Sequence, residues 1–215
     1  MQLSELSLPE FFLKKYSNYN SLTPIQEKAI KAGLLAKKSL LTCAPTASGK
    51  TLVATMAIAK TLGQGKALYI VPLKALAKEK YREYQALLEN TSYKVIVATG
   101  EVDSDSSYLA NYDLLVLTSE KLDSLLRHKV NWLAEVKLMV IDEIHLLNDN
   151  TRGPTLEIII TLIKQLINPQ IIGLSATIGN KQALADWLEA DLVEDDWRPV
   201  ELKKGVHLDG KTNFY

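Results

Sequence analysis

Cysteine is nearly absent: among 215 residues there is one, Cys43. An internal disulfide and a multi-cysteine metal site are thereby excluded, and the lone thiol fits a reducing cell interior. Its place inside an apolar run marks it as a buried, inert side chain. An excess of charge of one sign is missing too. The 25 basic and 25 acidic residues cancel, so any surface for a polyanion must be local. No apolar run approaches the roughly 20 residues of a membrane span, and Met1-Gln2-Leu3-Ser4-Glu5 lacks the basic start of a signal peptide. A cytoplasmic protein without a membrane partner is expected. Internal repeats, low-complexity tracts and linkers are absent, and the polar stretch 103–107 is too short to divide domains. With 47% hydrophobic and 23% charged residues, the composition is that of a globular chain with a sizeable core, and the length suits one large domain.

What is present centres on Ser39 to Thr51. An apolar run is followed by the small-residue loop Ala44-Pro45-Thr46-Ala47-Ser48-Gly49-Lys50-Thr51 and then by the helix-forming stretch Leu52 to Ala59. This is the strand, loop and helix of a phosphate-binding P-loop. Consecutive loop N–H groups and the positive end of the helix would face phosphates, Lys50 would reach the β/γ-phosphates, and the Thr51 hydroxyl would ligate Mg²⁺. The pattern asks for glycine where Ala44 stands. Because alanine cannot cheaply adopt positive φ, a loop path different from a glycine-led one is expected.

Around this loop the chain alternates. A short amphipathic helix is expected after Pro9, and a second one, capped by Thr23 with Pro24 in its first turn, to about Ala36. Runs at 66–72, 94–99, 112–118, 136–142 and 170–175 read as buried parallel strands. Helices are expected at 74–88, 120–126, 154–166 and 180–189, and Val200 to Lys203 is strand-like. Such alternation implies an α/β fold with a doubly wound, mainly parallel sheet flanked by helices, whose ligands gather at the carboxyl ends of the strands.

The run Met139 to His145 ends one of those strands with Asp142, Glu143 and His145. Acids in an apolar setting are costly unless they meet a cation or a substrate. Beside a P-loop, Asp142 would hold Mg²⁺ through water and Glu143 would polarise the water that attacks the γ-phosphate. Loops at the ends of the other strands offer N–H groups and hydroxyls that position a phosphate backbone without reading bases. Lys74 and Lys121 add charge there, Ser175 and Thr177 could instead cap a helix before Asn180, and Arg152 could pair with Glu157.

In order and spacing, Ala44 to Thr51, Asp142-Glu143-Ile144-His145 and Ser175-Ala176-Thr177 resemble the motifs of the DExH-box helicases of superfamily two. The chain is similar to the first of their two RecA-like motor domains over essentially all of its length. Leu22 to Gln26 looks like the Q motif, which would assign Gln26 to the adenine edge. Pro72 to Ala77, Thr99-Gly100 and Thr118 to Lys121 look like the motifs that line the nucleic-acid track, implicating Pro72, Lys74, Thr99, Gly100, Thr118, Ser119 and Lys121. Arg152 to Glu157 and Trp197 to Val200 resemble the Ski-type branch, closest to the archaeal Hjm-type DNA repair helicases.

The resemblance implies an RecA-like P-loop domain over 1–200, with the Q-motif segment at 1–36, and in 201–215 the start of a connection to a second motor domain. It further implies ATP and Mg²⁺ as cofactors, coupling by His145, Ser175 and Thr177, and Arg152 on the track. The expected activity is ATP hydrolysis driving 3′ to 5′ movement on single-stranded or forked DNA, in a monomer, and at the nucleoid if the source is archaeal. A Ski-type RNA helicase, a non-hydrolysing nucleic-acid-binding module and a small-molecule kinase are the rival readings. The kinase leaves Asp142 to His145 and Ser175 to Thr177 unexplained.

Overall fold

In a computed structural model that describes residues 1–19, 21–100, 106–208 and 210–214, the core is one seven-stranded sheet of order β3-β4-β2-β5-β6-β1-β7. Its strands are β1 (Leu40–Cys43), β2 (Lys66–Val71), β3 (Val95–Ala98), β4 (Leu114–Thr118), β5 (Val136–Ile141), β6 (Gln170–Ser175) and β7 (Asp191–Glu194), every pairing parallel. The central strands are buried along both faces, as a parallel sheet covered by crossover helices requires.

Successive residues of each strand enter opposite cores. From β2, Ala67, Tyr69 and Val71 join one cluster while Leu68 and Ile70 join the other. The first cluster lies under α1 (Glu10–Lys15), α2 (Pro24–Lys31), α3 (Lys50–Thr61) and α4 (Lys74–Leu88). The second lies under α5 (Ser119–Arg127), α6 (Gly153–Leu166) and α7 (Lys181–Leu188). The expected α/β sandwich is therefore present. Helix α3 is apolar almost all round, with every residue from Leu52 to Ala59 buried, because it is packed beneath the sheet and other helices instead of lying on the surface.

Two expectations need correction. The α2 helix stops at Lys31, not near Ala36, because Gly33 turns the chain at φ 105° and only a short 3₁₀ turn, Leu34–Ala36, follows. Val200 to Lys203 forms no strand: Val200 and Leu202 are exposed, and the pairing begins later, in the antiparallel hairpin of β8 (Gly205–Leu208) and β9 (Lys211–Phe214). Strand β7 went unforeseen. It is an edge strand in which only Val193 is buried, so it lacks the apolar run that marks the others. Residues 103–105 of the expected polar loop lie outside the described set.

Among the described residues no helix is long and apolar enough to cross a membrane.

Candidate functional site

Each polar cluster read from the sequence leaves the carboxyl end of a parallel strand. Thr99-Gly100 follows β3, Thr118-Ser119 closes β4, Pro72 to Lys74 follows β2, Asp142-Glu143 follows β5, Ser175 ends β6, and the P-loop follows β1. Sheet order sets them side by side on one edge, the P-loop, Ser175 and the two carboxylates on adjacent strands β1, β6 and β5.

The P-loop takes the path its composition demands. Ala44 avoids positive φ; the left-handed residues are Ala47, at φ 65°, and Gly49, at φ 100°. Alanine in that region costs about 1–2 kcal/mol, a strain typical of sites that hold a ligand. At Gly49 no other residue fits, since an added Cβ would stand 2.2 Å from Gln26 Nε2 and 3.0 Å from Thr23 Oγ1. Lys50 folds back onto its own loop, donating to Ala44 O at 2.5 Å and Pro45 O at 2.8 Å. Burial lowers its pKa from the ordinary lysine value; Glu143 and Asp142 oppose that lowering, while Arg198 adds to it. The carboxylates are thus within electrostatic range of the loop, and so is the segment after β7. Ser48 Oγ is buried in the loop without a hydrogen-bond partner, and Ser175 Oγ has only the weak Cys43 thiol beside it. Buried hydroxyls left unpaired cost about 1–3 kcal/mol each unless something completes them.

Gln26 is buried, 3% exposed. Its amide accepts from Thr23 N–H at 2.9 Å and donates to Gly49 O at 3.1 Å. The Q-motif segment is thereby tied to the P-loop, and the amide keeps one N–H and one acceptor lone pair for a further partner.

Asp142 is held at three points. Its N–H donates to Ile70 O at 2.9 Å, Oδ2 accepts from the Tyr69 hydroxyl at 2.9 Å, and Oδ1 accepts from Glu143 N–H at 3.1 Å. Glu143 adopts φ 52°, turning its side chain away from the strand direction. His145 Nδ1 lies 3.3 Å from Glu143 Oε2, outside hydrogen-bond geometry. Among the described residues no three His, Cys, Asp or Glu side chains converge into a metal cage. A divalent cation at this edge would therefore take most of its ligands from phosphate, water and hydroxyl, as Mg²⁺ in nucleotide sites does.

The other strand ends are looser. Lys74 is exposed, and Gly100, at φ 102°, faces it: among the described residues an added Cβ would meet only Lys74 Nζ, at 3.9 Å. Thr118 Oγ1 is buried and unpartnered. Lys121 is buried, 4% exposed. Arg152 forms no ion pair with Glu157; it lines a crevice with Pro72, Ser119, Asp142, Glu143 and Leu156, its own N–H donating to Asp149 Oδ1 at 2.9 Å. Gly153 beside it is obligatory, because a Cβ there would stand 2.2 Å from Leu147 O. Ser175 is buried, Thr177 is exposed, and neither caps α7, whose N-cap Asn180 makes no side-chain capping bond. Cys43 is buried next to Ser175 in the β1–β6 pair, and burial raises its thiol pKa, so it is inert as expected.

Sequence reasoning missed Tyr69 and Tyr84. Both read as ordinary apolar positions, one inside a strand and one on the buried face of a helix.

The model of the DEAD/DEAH box helicase family matches residues 23–185. The ATP-dependent DNA helicase Hel308 of Pyrococcus abyssi is 50% identical over 214 residues, covering 98% of this chain and 30% of the relative. Its namesake from Methanococcus vannielii is 51% identical over 201 residues, covering 90% of this chain and 26% of the relative. The chain thus spans less than a third of the length of either. Among solved structures, the DUF1998 helicase MrfA bound to DNA superposes with a TM-score of 0.77 at 25% identity, covering 88% of this chain and 30% of that one. A second structure of DUF1998 helicase MrfA gives 0.76 at 24% identity, covering 88% of this chain and 33% of that one.

Proposed function

The chain belongs to the DEAD/DEAH box helicase family, and from that premise we propose that it is the ATP-binding motor domain of an ATP-dependent DNA helicase that moves 3′ to 5′ along a single strand. The observation that carries this reading is the shared edge: P-loop, paired carboxylates and strand-end loops all emerge at the carboxyl ends of one parallel sheet. The names of its relatives, DNA helicases in each case, and a structural neighbour captured on DNA favour DNA over RNA.

On this reading Lys50 leaves its loop carbonyls to meet the β/γ-phosphates, the N–H groups of 44–51 cradle them, and the unpaired Ser48 hydroxyl gains a partner. Gln26 presents its spare N–H and lone pair to the adenine edge. Thr51 and Asp142 would hold Mg²⁺, Asp142 through water, and the ion would supply charge that neutralises the phosphates. Glu143 polarises the water, and ATP and water give ADP and phosphate. His145, Ser175 and Thr177 relay the state of the site toward the neighbouring strand ends. There Pro72, Lys74, Thr99, Gly100, Thr118, Ser119, Lys121 and Arg152 form the track; Lys121 is buried and must be uncovered before its charge meets a phosphate. Residues 1–200 make the motor domain, and 201–215 lead toward a second RecA-like domain that supplies arginine fingers, worth about 10³–10⁵ in rate. The working protein is a monomer.

The test is phosphate release by this chain with and without single-stranded DNA. It should bind ATP with Mg²⁺ yet hydrolyse it barely and without stimulation by the strand. In a protein that includes the second domain, Glu143→Gln should keep nucleotide binding and abolish turnover. Strand-stimulated turnover by residues 1–215 alone, at rates typical of whole helicases, would overturn the division of labour between two domains.

A further inference from the structure

Tyr69 and Tyr84 are fully buried, and a phenylalanine would satisfy packing at either place; what requires explanation is each hydroxyl. Their rings lie 5.5 Å apart at 56°. Tyr84 OH is 3.2 Å from Thr55 Oγ1, whose own proton goes to Thr51 O at 2.9 Å, so Tyr84 is the donor of that pair. It ties α4 to the second turn of α3. Tyr69 OH, by contrast, ends on Asp142 Oδ2.

A carboxylate at a strand end has a broad, weakly preferred terminal torsion. Here two donors act on different oxygens, Tyr69 OH on Oδ2 and Glu143 N–H on Oδ1. Together they fix the carboxyl plane while leaving further lone pairs on both oxygens. Strand β2 supplies both the side-chain donor and, through Ile70 O, the acceptor for the Asp142 amide.

We propose that Tyr69 is a positioning residue for Asp142, its hydroxyl setting the orientation in which the carboxylate meets the hydrated cation of the nucleotide. The proposal rests on the reading of Asp142 as cation holder given above. Partners of this kind orient ligands, and their loss typically costs 10–100-fold in metal affinity or activity. Tyr84 makes no contact with the carboxylate and is the control.

The experiment measures binding of a fluorescent ATP analogue to the chain across a series of Mg²⁺ concentrations and in EDTA, for Tyr69→Phe, Tyr84→Phe, Asp142→Asn and the Tyr69→Phe/Asp142→Asn double variant. Tyr69→Phe should raise the Mg²⁺ midpoint about tenfold while leaving affinity in EDTA unchanged. Tyr84→Phe should leave the midpoint in place, and the double variant should match Asp142→Asn, whose Mg²⁺ dependence is nearly flat. A purely structural role would lower affinity with and without metal alike, and that result overturns the proposal. So does an unmoved midpoint in Tyr69→Phe when Asp142→Asn is flat. If Asp142→Asn itself keeps the full Mg²⁺ dependence, the reading of Asp142 falls and the proposal with it. Should Tyr69→Phe not fold, the unsubstituted chain labelled with ¹³C at tyrosine Cζ decides. Adding Mg²⁺ to the nucleotide-bound chain must shift the Tyr69 resonance and leave that of Tyr84, identified by its loss in Tyr84→Phe, in place; an unshifted Tyr69 resonance counts against the proposal.

Discussion

The two halves of the sheet edge are built differently. On β1, β6 and β5 the functional side chains are pinned: Lys50 on two loop carbonyls, Gln26 between Thr23 and Gly49, Asp142 between two donors. On β3 and β2 they are not, while beside β4 Thr118, Ser119 and Lys121 are buried. Lys74 is exposed and Gly100 stands open beside it. A phosphate chain that must react needs donors and acids fixed before it arrives. A strand that must be gripped and released is held by charge and backbone at the surface, with little prior ordering.

The glycines offer the sharpest way to break this comparison, because both Gly49 and Gly100 have positive φ, 100° and 102°, and only one is enclosed. Gly49→Ala should destabilise the chain by about 2–4 kcal/mol, left-handed strain added to a clash with Gln26, and should abolish nucleotide binding. Gly100→Ala should cost only the strain, about 1–2 kcal/mol, and leave nucleotide binding intact. Chemical denaturation and a nucleotide titration of both variants check this, and equal costs would erase the distinction.

Gln26→Ala comes next. Removing the amide leaves Thr23 N–H and Gly49 O without their partners, a cost of about 1–3 kcal/mol, and loosens the P-loop whatever base is bound. Affinities for ATP and GTP should both drop, with the larger drop for ATP because the spare hydrogen-bonding capacity of the amide is lost too. Calorimetric titration with the two nucleotides reads the difference.

The smallest effect is expected at Ala47. Glycine there removes strain of about 1–2 kcal/mol but adds about 0.5–1 kcal/mol of chain entropy to be lost on folding. Ala47→Gly should therefore raise the denaturation midpoint only slightly. A lowered midpoint would show that the left-handed turn is not strained.

What could be read in the sequence follows the range of the interactions. The P-loop lies in eight consecutive residues, the DExH cluster in four, and the strands in short apolar runs, so these were legible. Strand β7 was hidden because one buried residue in four leaves no pattern. The end of α2 was hidden because Leu34, Leu35 and Ala36 continue an acceptable helical pattern past Gly33, which takes positive φ. Contacts across the fold leave no local trace: Gln26 meets Gly49 23 positions away, and Tyr69 meets Asp142 73 positions away. The burial of Lys121 was illegible for the same reason, since it is set by what packs over α5.

The most direct measurement sets the two halves against each other in one chain. Lys50→Ala and Lys74→Ala are each titrated with a fluorescent ATP analogue in Mg²⁺ and, at low salt, with labelled single-stranded DNA. Lys50→Ala should lose about 10–100-fold in nucleotide affinity, the worth of a charge-assisted contact of about 1.5–3 kcal/mol, and keep its affinity for DNA. Lys74→Ala should keep the nucleotide, bind DNA more weakly, and lower the salt dependence by about one counterion. Loss of nucleotide affinity in Lys74→Ala as large as that in Lys50→Ala would contradict a sheet edge divided between a nucleotide half and a strand half.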